Sequence, residues 1–357
     1  MLQITINKAP APKAKPADET KLGFGRYYTD HMFIMDHSPE KGWHDARIIP
    51  FENFSISPAA IVFHYGMCIF EGLKAYRRPD GKVQLFRPDE NARRMMRSAE
   101  RMCMPPVPEE YFMEAVKTLV SLDSEWVPSA PGTTLYVRPT LICDHDDLSM
   151  HSLGSFKFFV ILSPVGSYYV EGLKPVRIKI EETAARSVHG GTGFAKCGGN
   201  YAGSFHATVQ AEKEGYSQVL WLDGATKQYI EEVGSNNIMF KIGGKIVTPA
   251  LGDTVLPGIT RKSCIEMFKK WGMEVEERQL SVAELLEQLE KGNVEEVFGV
   301  GTAAIVTPVG VLGYGGKDYE FNGGQIGETT QRLYDELVGL QFGRRPDPFG
   351  WTVQVGE

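Results

Sequence analysis

The sequence predicts an α+β fold built from two domains. Strand-like runs dominate both halves of the chain, and the predicted helices lie among them without the strict βαβ alternation of a doubly wound sheet. A length of 357 residues exceeds what one hydrophobic core usually serves and suits two domains. Because 42% of the residues are hydrophobic and 23% are charged, the chain can form sizeable globular cores.

The first half of the chain, residues 1–168, is predicted to form the smaller, N-terminal α/β domain. Alternating or β-branched runs predict strands at residues 83–88, 134–143 and 156–165. Two segments carry apolar residues at helical spacing and predict helices, "PDENARRMMRSAERM" and "PEEYFMEAVKTLVSL". Residues 1–20 include a stretch rich in Ala, Lys and Pro, which predicts a loose arm.

The second half, residues 179–357, is predicted to form the larger, C-terminal domain. Its first strand is predicted at residues 176–182, where apolar and charged side chains alternate. Further strands are predicted at "SQVLWLD", "NNIMFKI", "KIVTP" and "VEEVFGVGTAAIVTPVGVL", and helices from about Pro257 and in "GETTQRLYDELVGLQF". Residues 169–178, within and just after a stretch rich in Gly, Pro and Tyr, are predicted to link the domains.

Composition argues against several classes of function. The net charge of −7 disfavours nucleic acid as the main partner, since nucleic-acid binding usually needs a basic face. No apolar run approaches the length of a membrane span, and the first 20 residues lack a hydrophobic signal core. The eight histidines are dispersed without ligand spacing, so no metal site is expected. Five scattered cysteines without a CxxC pair suit a reducing cytoplasm: Cys68, Cys103, Cys143, Cys197 and Cys264.

One lysine, Lys196, stands in the glycine-rich stretch "GTGFAKCGGNYAGS". Glycine allows close backbone approach and positive φ, which predicts that the stretch lies close to a ligand. The stretch is neither a P-loop nor a dinucleotide fingerprint, because the required glycine order is absent. A lone lysine among glycines is most often a solvated loop residue. Its remaining chemical use is that of an amine nucleophile that forms a Schiff base with a carbonyl group.

Three further motifs follow along the chain. In "YIEEVGSNNIMF", Glu231 and Glu232 interrupt a strand pattern; they mark either an ordinary turn edge or a buried carboxylate that needs a cation such as a protonated pyridine nitrogen. In "VLPGITRKSCIEMFKKWG", a helix start after Pro257 offers free N–H groups to an anion, above all phosphate. In "GVGTAAIVTP", a turn of small residues either binds a carboxylate or is a plain hairpin.

Taken in this order, the motifs resemble the class-IV pyridoxal-phosphate aminotransferases, and the branched-chain amino acid aminotransferases most closely. The resemblance extends over residues 23–345 and is carried by "FEGLKAYR", "LFRP", "LYVRPTL", "KCGGNYAGS", "QVLWLD", "EEVGSNNI", "LPGITRKS" and "EVFGVGTAA". The family pattern that starts at the glutamate is met by Glu232, Asn237, Thr248, Gly258 and Arg261. One position departs from the pattern, because Met239 stands where an aromatic residue is usual.

The resemblance implies a fold-type-IV enzyme of two α/β domains, with pyridoxal 5'-phosphate at their interface in the C-terminal domain. Lys196 would bind the cofactor aldehyde covalently and later move the proton between the substrate Cα and the cofactor. Glu232 would pair with the pyridinium nitrogen, and Tyr201 would hydrogen-bond the ring oxygen. Arg186 would lie beside the cofactor. The phosphate would be bound by Arg87, Ile259, Thr260 and Thr302.

The resemblance also implies the substrates. An aromatic pocket would hold an aliphatic side chain and would consist of Tyr65, Phe70, Tyr136 and Tyr168. Thr302 and Ala303 would bind the substrate carboxylate, and Arg138 the distal carboxylate of glutamate. The expected reaction is a ping-pong transfer between Leu, Ile or Val and 2-oxoglutarate by a cytoplasmic homodimer. The stretch "TAAIVTP" lacks the CxxC pair common in the longer members of the family, so thiol regulation of that type is not expected.

Two kinds of alternative stay open. Within the same fold, the chain would be a D-amino acid aminotransferase or an aminodeoxychorismate lyase, although "LYVRP" and "EGLKAYR" favour the branched-chain assignment. Outside catalysis, a binding protein that kept the fold would be expected to lose Lys196 or Glu232, and both are present.

Overall fold

The computed structural model describes residues 2–149, 154–168 and 173–356. The chain divides into two compact units. The first unit comprises Met1–Val170, Ala195–Gly198 and Gly339–Glu357, and the second comprises Glu171–Phe194 and Gly199–Val338. Of the predicted linker, residues 169–172 lie outside the described residues.

The strands, in chain order, are β1 (Thr5–Ile6), β2 (His31–Ser38), β3 (Gly42–Pro50), β4 (Cys68–Phe70), β5 (Leu73–Arg77), β6 (Val83–Phe86), β7 (Thr134–Cys143), β8 (Phe156–Val165), β9 (Val176–Glu181), β10 (Gln218–Leu222), β11 (Ile230–Val233), β12 (Asn236–Ile242), β13 (Lys245–Thr248), β14 (Val275–Glu277), β15 (Val294–Gly301), β16 (Ile305–Tyr314), β17 (Lys317–Glu320) and β18 (Thr352–Val355). The α-helices are α1 (Ile61–Tyr65), α2 (Pro88–Arg101), α3 (Glu109–Leu122), α4 (Gly198–Ala202), α5 (Phe205–Lys213), α6 (Ile259–Lys270), α7 (Val282–Glu290) and α8 (Glu328–Gln341). The mixed content of strands and helices agrees with the predicted α+β class.

The first unit contains one sheet in the order β1-β3-β2-β8-β7-β5-β6-β18, with β4 beside β7. Neighbouring strands are antiparallel except for β1 and β3. Helices α2 and α3 supply apolar side chains such as Met95, Phe112 and Leu119 to the core beneath this sheet. The C-terminal strand β18 pairs with β6, which places residues 339–357 in the first unit instead of the predicted C-terminal domain.

The second unit contains a sheet in the order β11-β10-β9-β16-β15-β12-β13-β14, with β17 beside β16. The hairpin that joins β11 to β12 also pairs these two strands, so six strands close on themselves. Ile180, Leu220, Ile238 and Phe240 lie in the core of this unit. Strand β9 begins at Val176, so the last three residues of the predicted linker belong to this sheet.

The N-terminal arm is anchored, contrary to the expectation of a loose arm. Strand β1 pairs with β3, and the backbone N–H of Ala9 donates to His31 Nε2 at 2.8 Å. The N–H of Lys13 donates to Asp30 Oδ1 at 2.6 Å. A Pro-rich segment forms few backbone pairs of its own, and here polar side chains of the first unit accept two of its N–H groups. Among the described residues, no helix is both long enough and apolar enough to cross a bilayer.

Candidate active site

Lys196 lies in the first unit, where residues 195–198 run beside strand β4. The N–H of Phe70 donates to the carbonyl oxygen of Lys196 at 3.0 Å, and Ile69 pairs with Cys197 in an antiparallel bridge. Since directly paired residues share a face, Lys196 and Phe70 lie on one side, and Ile69 and Cys197 lie on the other, in the core. Lys196 Nζ is 4.8 Å from the centroid of the Phe70 ring.

Strand β7 continues the same face. Phe70 pairs with Thr140, so the even-numbered residues of β7 share the side of Lys196, while Val137 and Leu141 point into the core. Arg138 and Tyr136 therefore lie on the side of Lys196. The Arg138 guanidinium carbon is 4.6 Å from the centroid of Phe70, and Nη2 donates to the Tyr136 hydroxyl at 3.1 Å. We call this group the lysine face: Lys196, Phe70, Tyr136 and Arg138.

Helix α2 holds the two segments that form the lysine face. The N–H of Lys196 donates to Ser98 Oγ at 2.9 Å. One turn earlier, Arg94 binds Glu71 through two hydrogen bonds of 2.8 and 2.7 Å, and Asn91 donates to the same carboxylate at 2.8 Å. All four residues are at most 4% exposed, so these hydrogen bonds satisfy polar groups that are buried from water.

Asn91, Arg94 and Ser98 were not among the residues predicted from the sequence. Their signal was present as a polar stripe on α2, at spacings of three and four residues that place all three side chains on one face. The apolar helical pattern of the same segment masked this stripe.

Arg87, the predicted phosphate ligand, caps α2 in a left-handed conformation with φ 48° and ψ 46°. Its N–H donates to the Trp351 carbonyl at 2.7 Å, and its guanidinium lies 4.8 Å from the Trp351 ring centroid. A non-glycine residue in this region is strained and persists only where surrounding contacts fix it. The conformation therefore marks Arg87 as a candidate functional residue.

Two predicted pocket residues are exposed instead. Tyr65 ends α1, is 42% exposed, and donates its hydroxyl to the Leu148 carbonyl at 2.8 Å. Tyr168 is 54% exposed. Of the four predicted aromatic residues, only Phe70 and Tyr136 thus belong to the lysine face.

In the second unit, Glu232 is a buried carboxylate with two polar neighbours. Asn237 Nδ2 donates to Glu232 Oε1 at 3.0 Å, and Arg186 Nη1 lies 2.7 Å from Oε2. Arg186 also donates to the carbonyl oxygens of Gly193 and Thr254. The guanidinium favours the ionised form of the carboxylate, which has lone pairs left for a further N–H donor.

Two other residues of the pattern that starts at Glu232, Thr248 and Arg261, hydrogen-bond the backbone near this glutamate. Thr248 Oγ1 donates to the Ile238 carbonyl at 2.8 Å, and Arg261 Nη2 donates to the Pro249 carbonyl at 2.8 Å. The same Arg261 pairs with Glu277 at 3.0 Å through Nη1. Met239, the position that departs from the pattern, is buried in β12. Here the pattern serves to fix the backbone between β12 and α6.

Helix α6 begins at Ile259 and Thr260, both buried, and no side chain caps its first turn. Its free N–H groups fit the predicted anion site. Thr302 and Ala303 form the turn between β15 and β16, as the hairpin prediction requires, and both are partly exposed. Tyr201 lies in α4 and is partly exposed.

One glycine before Lys196, Gly193, lies against the backbone of Thr254. A Cβ on Gly193 would lie 2.5 Å from the Thr254 carbonyl oxygen, so this glycine permits close backbone packing within the second unit. The predicted role of the neighbouring glycines toward a cofactor stays a prediction. Among the described residues, no group of three or more His, Cys, Asp or Glu side chains is arranged to hold a metal ion.

The family model described as "Amino-transferase class IV" matches residues 68–311 of this chain. The chain is 49% identical to branched-chain-amino-acid aminotransferase 2 of Bacillus subtilis, over 99% of this chain and 96% of that protein. It is 41% identical to the branched-chain-amino-acid aminotransferase of Mycolicibacterium smegmatis, over 99% of this chain and 98% of that protein.

Solved structures show the same fold. The crystal structure of the T.th. branched-chain amino acid aminotransferase with pyridoxamine 5'-phosphate is similar with a TM-score of 0.76 and 27% identity, over 91% of this chain and 98% of that one. The Escherichia coli branched-chain amino acid aminotransferase gives a TM-score of 0.74 and 26% identity, over 91% and 99%. The chain therefore belongs to the class IV aminotransferase family, and within it to the branched-chain-amino-acid aminotransferases.

Proposed function

We propose that this chain catalyses reversible transfer of an amino group from branched-chain L-amino acids to 2-oxoglutarate, giving branched 2-oxo acids and L-glutamate. The observation that carries the proposal is the lysine face, where an amine and a guanidinium flank one aromatic ring at 4.8 and 4.6 Å. The ring offers apolar surface to an aliphatic side chain, and the guanidinium offers a cation to a carboxylate. A pocket with both surfaces suits leucine, isoleucine, valine and glutamate.

The donor set fits pyridoxal 5'-phosphate. Lys196 offers an amine to the aldehyde, Glu232 a carboxylate to the ring nitrogen, and Tyr201 a hydroxyl to the ring oxygen. The phosphate would be bound by Arg87, the α6 start at Ile259 and Thr260, and Thr302. When bound, the cofactor supplies an electron sink for the electron pair at the substrate Cα.

The chain's own groups then have separate tasks. Lys196 holds the cofactor and moves a proton at the substrate Cα through its Nζ. Arg186 and Asn237 keep the Glu232 carboxylate ionised and oriented, so that it accepts a hydrogen bond from a protonated nitrogen. Ser98 fixes the backbone of Lys196.

The substrate side uses the rest of the lysine face. Phe70 and Tyr136 line the aliphatic side chain, and Arg138 binds the distal carboxylate of glutamate. Thr302 and Ala303 bind the carboxylate next to Cα. We retain Tyr65 and Tyr168 as proposed pocket residues, although both are largely exposed in this chain.

The first experiment is the visible absorption spectrum of the purified protein with pyridoxal phosphate, before and after L-leucine is added. D-alanine serves as the comparison. We expect a yellow band that bleaches with L-leucine only, and borohydride reduction should fix the cofactor on the Lys196 peptide. Bleaching with D-alanine alone would move the chain to the D-amino acid branch. No band at all would overturn the proposal.

We further propose that the chain works as a homodimer in the cytoplasm. Support comes from the family and from the scattered, unpaired cysteine pattern expected of a reducing compartment. Sedimentation velocity would test the dimer, with a monomer at micromolar concentration as the contrary result.

A further inference from the structure

Three buried polar atoms on β7 and β8 have no hydrogen-bond partner among the described residues: Thr134 Oγ1, Arg138 Nε and Ser163 Oγ. Thr134 and Ser163 are only 2% and 6% exposed. Buried hydroxyl and N–H groups are nearly always paired, either with protein groups or with ordered water. Three such atoms in two adjacent strands therefore need a physical explanation.

The register of β7 and β8 brings the three side chains to one side of the sheet. Ser163 pairs directly with Tyr136, so it lies on the side of the lysine face. Thr134 and Arg138 stand two residues before and two residues after Tyr136 on β7, which makes Ser163 the diagonal neighbour of both. Diagonal neighbours in an antiparallel pair are about 7–8 Å apart, a separation that one water molecule can bridge when a side chain is long.

The segment around Phe24 covers this side of β7 and β8. The Phe24 ring meets the Tyr136 ring edge-on, with the two centroids 4.9 Å apart. The N–H of Gly166, just after β8, donates to the Gly23 carbonyl at 2.9 Å. The hydroxyl groups beneath are buried from bulk solvent, so a water molecule that binds them is part of the structure.

Packing alone does not account for the two hydroxyl groups. Valine has nearly the shape of threonine, and alanine lacks only the oxygen of serine. Either residue would fill this part of the sheet without leaving a buried polar atom to be satisfied. The choice of Thr134 and Ser163 therefore points to a polar group that binds between them.

The guanidinium group of Arg138 is held by its neighbours on the lysine face. Its Nη2 donates to the Tyr136 hydroxyl at 3.1 Å, and its central carbon lies 4.6 Å from the centroid of Phe70 and 5.1 Å from that of Tyr136. A guanidinium group is planar and rigid, so a hydrogen bond at Nε also sets the direction of both terminal nitrogens. A second fixed point at Nε would thus orient the donors that remain for a ligand.

We propose that Thr134 and Ser163 bind an ordered water molecule that accepts the Nε–H of Arg138 and orients the guanidinium group toward the distal carboxylate of glutamate. This inference rests on the proposed function, which assigns that carboxylate to Arg138. The water accepts one hydrogen bond from Nε and donates one to each hydroxyl oxygen, so all three atoms gain a partner. Thr134 and Ser163 are positioning residues for the glutamate half-reaction, and the leucine half-reaction does not depend on them.

The test compares the two half-reactions of the pyridoxal phosphate holoenzyme by single-turnover absorption, with L-glutamate and with L-leucine. Thr134→Val removes one hydroxyl and keeps the shape, Thr134→Ser keeps the hydroxyl, and Ser163→Ala removes the other hydroxyl. The control is Thr133→Val. Thr133 is equally buried, but its hydroxyl already donates to the Ala130 carbonyl at 2.6 Å.

We expect Thr134→Val and Ser163→Ala each to need about tenfold more glutamate for the half-maximal rate, with little change in the maximal rate or in either value for leucine. Thr134→Ser and Thr133→Val should behave as the parent with both substrates. In an Arg138→Ala background, Ser163→Ala should have no further effect on glutamate, because the water acts through Arg138. If Ser163→Ala does not fold, Thr134→Val and Thr134→Ser carry the test.

A high-resolution crystal structure of the parent holoenzyme gives a readout that is independent of activity. Solvent density within hydrogen-bond distance of both Arg138 Nε and Ser163 Oγ is expected, and it should be lost in Ser163→Ala. Absence of this density in the parent, or equal slowing of both half-reactions in the variants, would overturn the inference. Bleaching of the parent's absorption band by L-leucine tests the proposed function separately, so the two failures can be told apart.

Discussion

The backbone N–H of Lys196 donates to the buried hydroxyl oxygen of Ser98 at 2.9 Å. The lysine proposed to carry the cofactor is therefore held from helix α2, 98 residues earlier in the chain. The same helix binds Glu71, next to Phe70, through Arg94. Helix α2 thus fixes the relative position of two members of the lysine face.

Ser98→Ala should remove the hydroxyl acceptor of the partly buried Lys196 N–H. We expect a loss of about 1–3 kcal/mol in unfolding free energy and faster hydrogen exchange at the Lys196 amide in the cofactor-free protein. Exchange measured by mass spectrometry would test this. Ser281→Ala, which removes the N-cap hydroxyl of α7, should lose about 1 kcal/mol without changing exchange at Lys196. Unchanged exchange in Ser98→Ala would contradict the assignment.

Arg186→Leu should remove the guanidinium group that lies 2.7 Å from the buried Glu232 carboxylate. Breaking a buried pair in this way typically costs about 3–5 kcal/mol. The double variant with Glu232→Gln should recover part of that loss, because the carboxylate charge is then removed. Denaturant unfolding of the two single variants and the double variant measures the coupling. Strict additivity would show that the 2.7 Å pair contributes nothing.

Gly72→Ala should displace the Tyr136 hydroxyl, since a Cβ at this position would lie 2.0 Å from it. Arg138 then loses its hydrogen-bond partner on the lysine face. We expect the half-reaction with glutamate to slow about tenfold more than that with leucine. The Tyr136→Phe variant lacks the clashing oxygen. In that background, Gly72→Ala should change the rates of the glutamate and leucine half-reactions by the same factor. Equal damage to both substrates in Gly72→Ala would refute a role for this contact in glutamate binding.

Lys74 gives a prediction for stability against pH. Burial lowers the pKa of Lys74 to about 8, below the ordinary value of 10.5. Between these values the unfolded chain binds a proton that the folded chain does not, so stability should rise with pH across this window by up to about 3 kcal/mol. Lys74→Met should remove this rise and should be more stable than the parent at pH 7. Lys213→Met, at an exposed lysine, should keep the rise.

Helices and strands were predictable where the hydrophobic periodicity lies within one continuous segment of the chain. The predicted strands at 134–143 and 156–165 coincide with β7 and β8, and the predicted helices coincide with α2 and α3 to within a residue or two. Strands β2 and β3 were missed because polar residues interrupt their pattern. Buried His31 pairs with Asp123, and partly buried Asp36 pairs with Lys157, partners that lie 92 and 121 residues away along the chain. Such partners are invisible to a local pattern.

The residues with chemical roles in the site were predictable from the sequence, whereas the residues that hold them in position were less so. Motifs identified Lys196, Glu232 and Arg138, because the chemistry restricts which residue types can serve. They could not show that Arg186 contacts Glu232, since the 45 residues between them form intervening strands and helices. Ser98 was not predicted, because the sequence does not show which group a serine within an amphipathic helix contacts.

The register of β7 limits how this enzyme can change. Its even-numbered residues lie on the side of the lysine face, and odd-numbered residues such as Val137 and Leu141 lie in the core. Inserting or deleting one residue would therefore exchange Arg138 for an apolar neighbour and bury a charge at the same time. New substrate preferences must therefore arise by replacement of single side chains at constant strand length. Differences in chain length between relatives should accumulate in the loops outside β4 and β7.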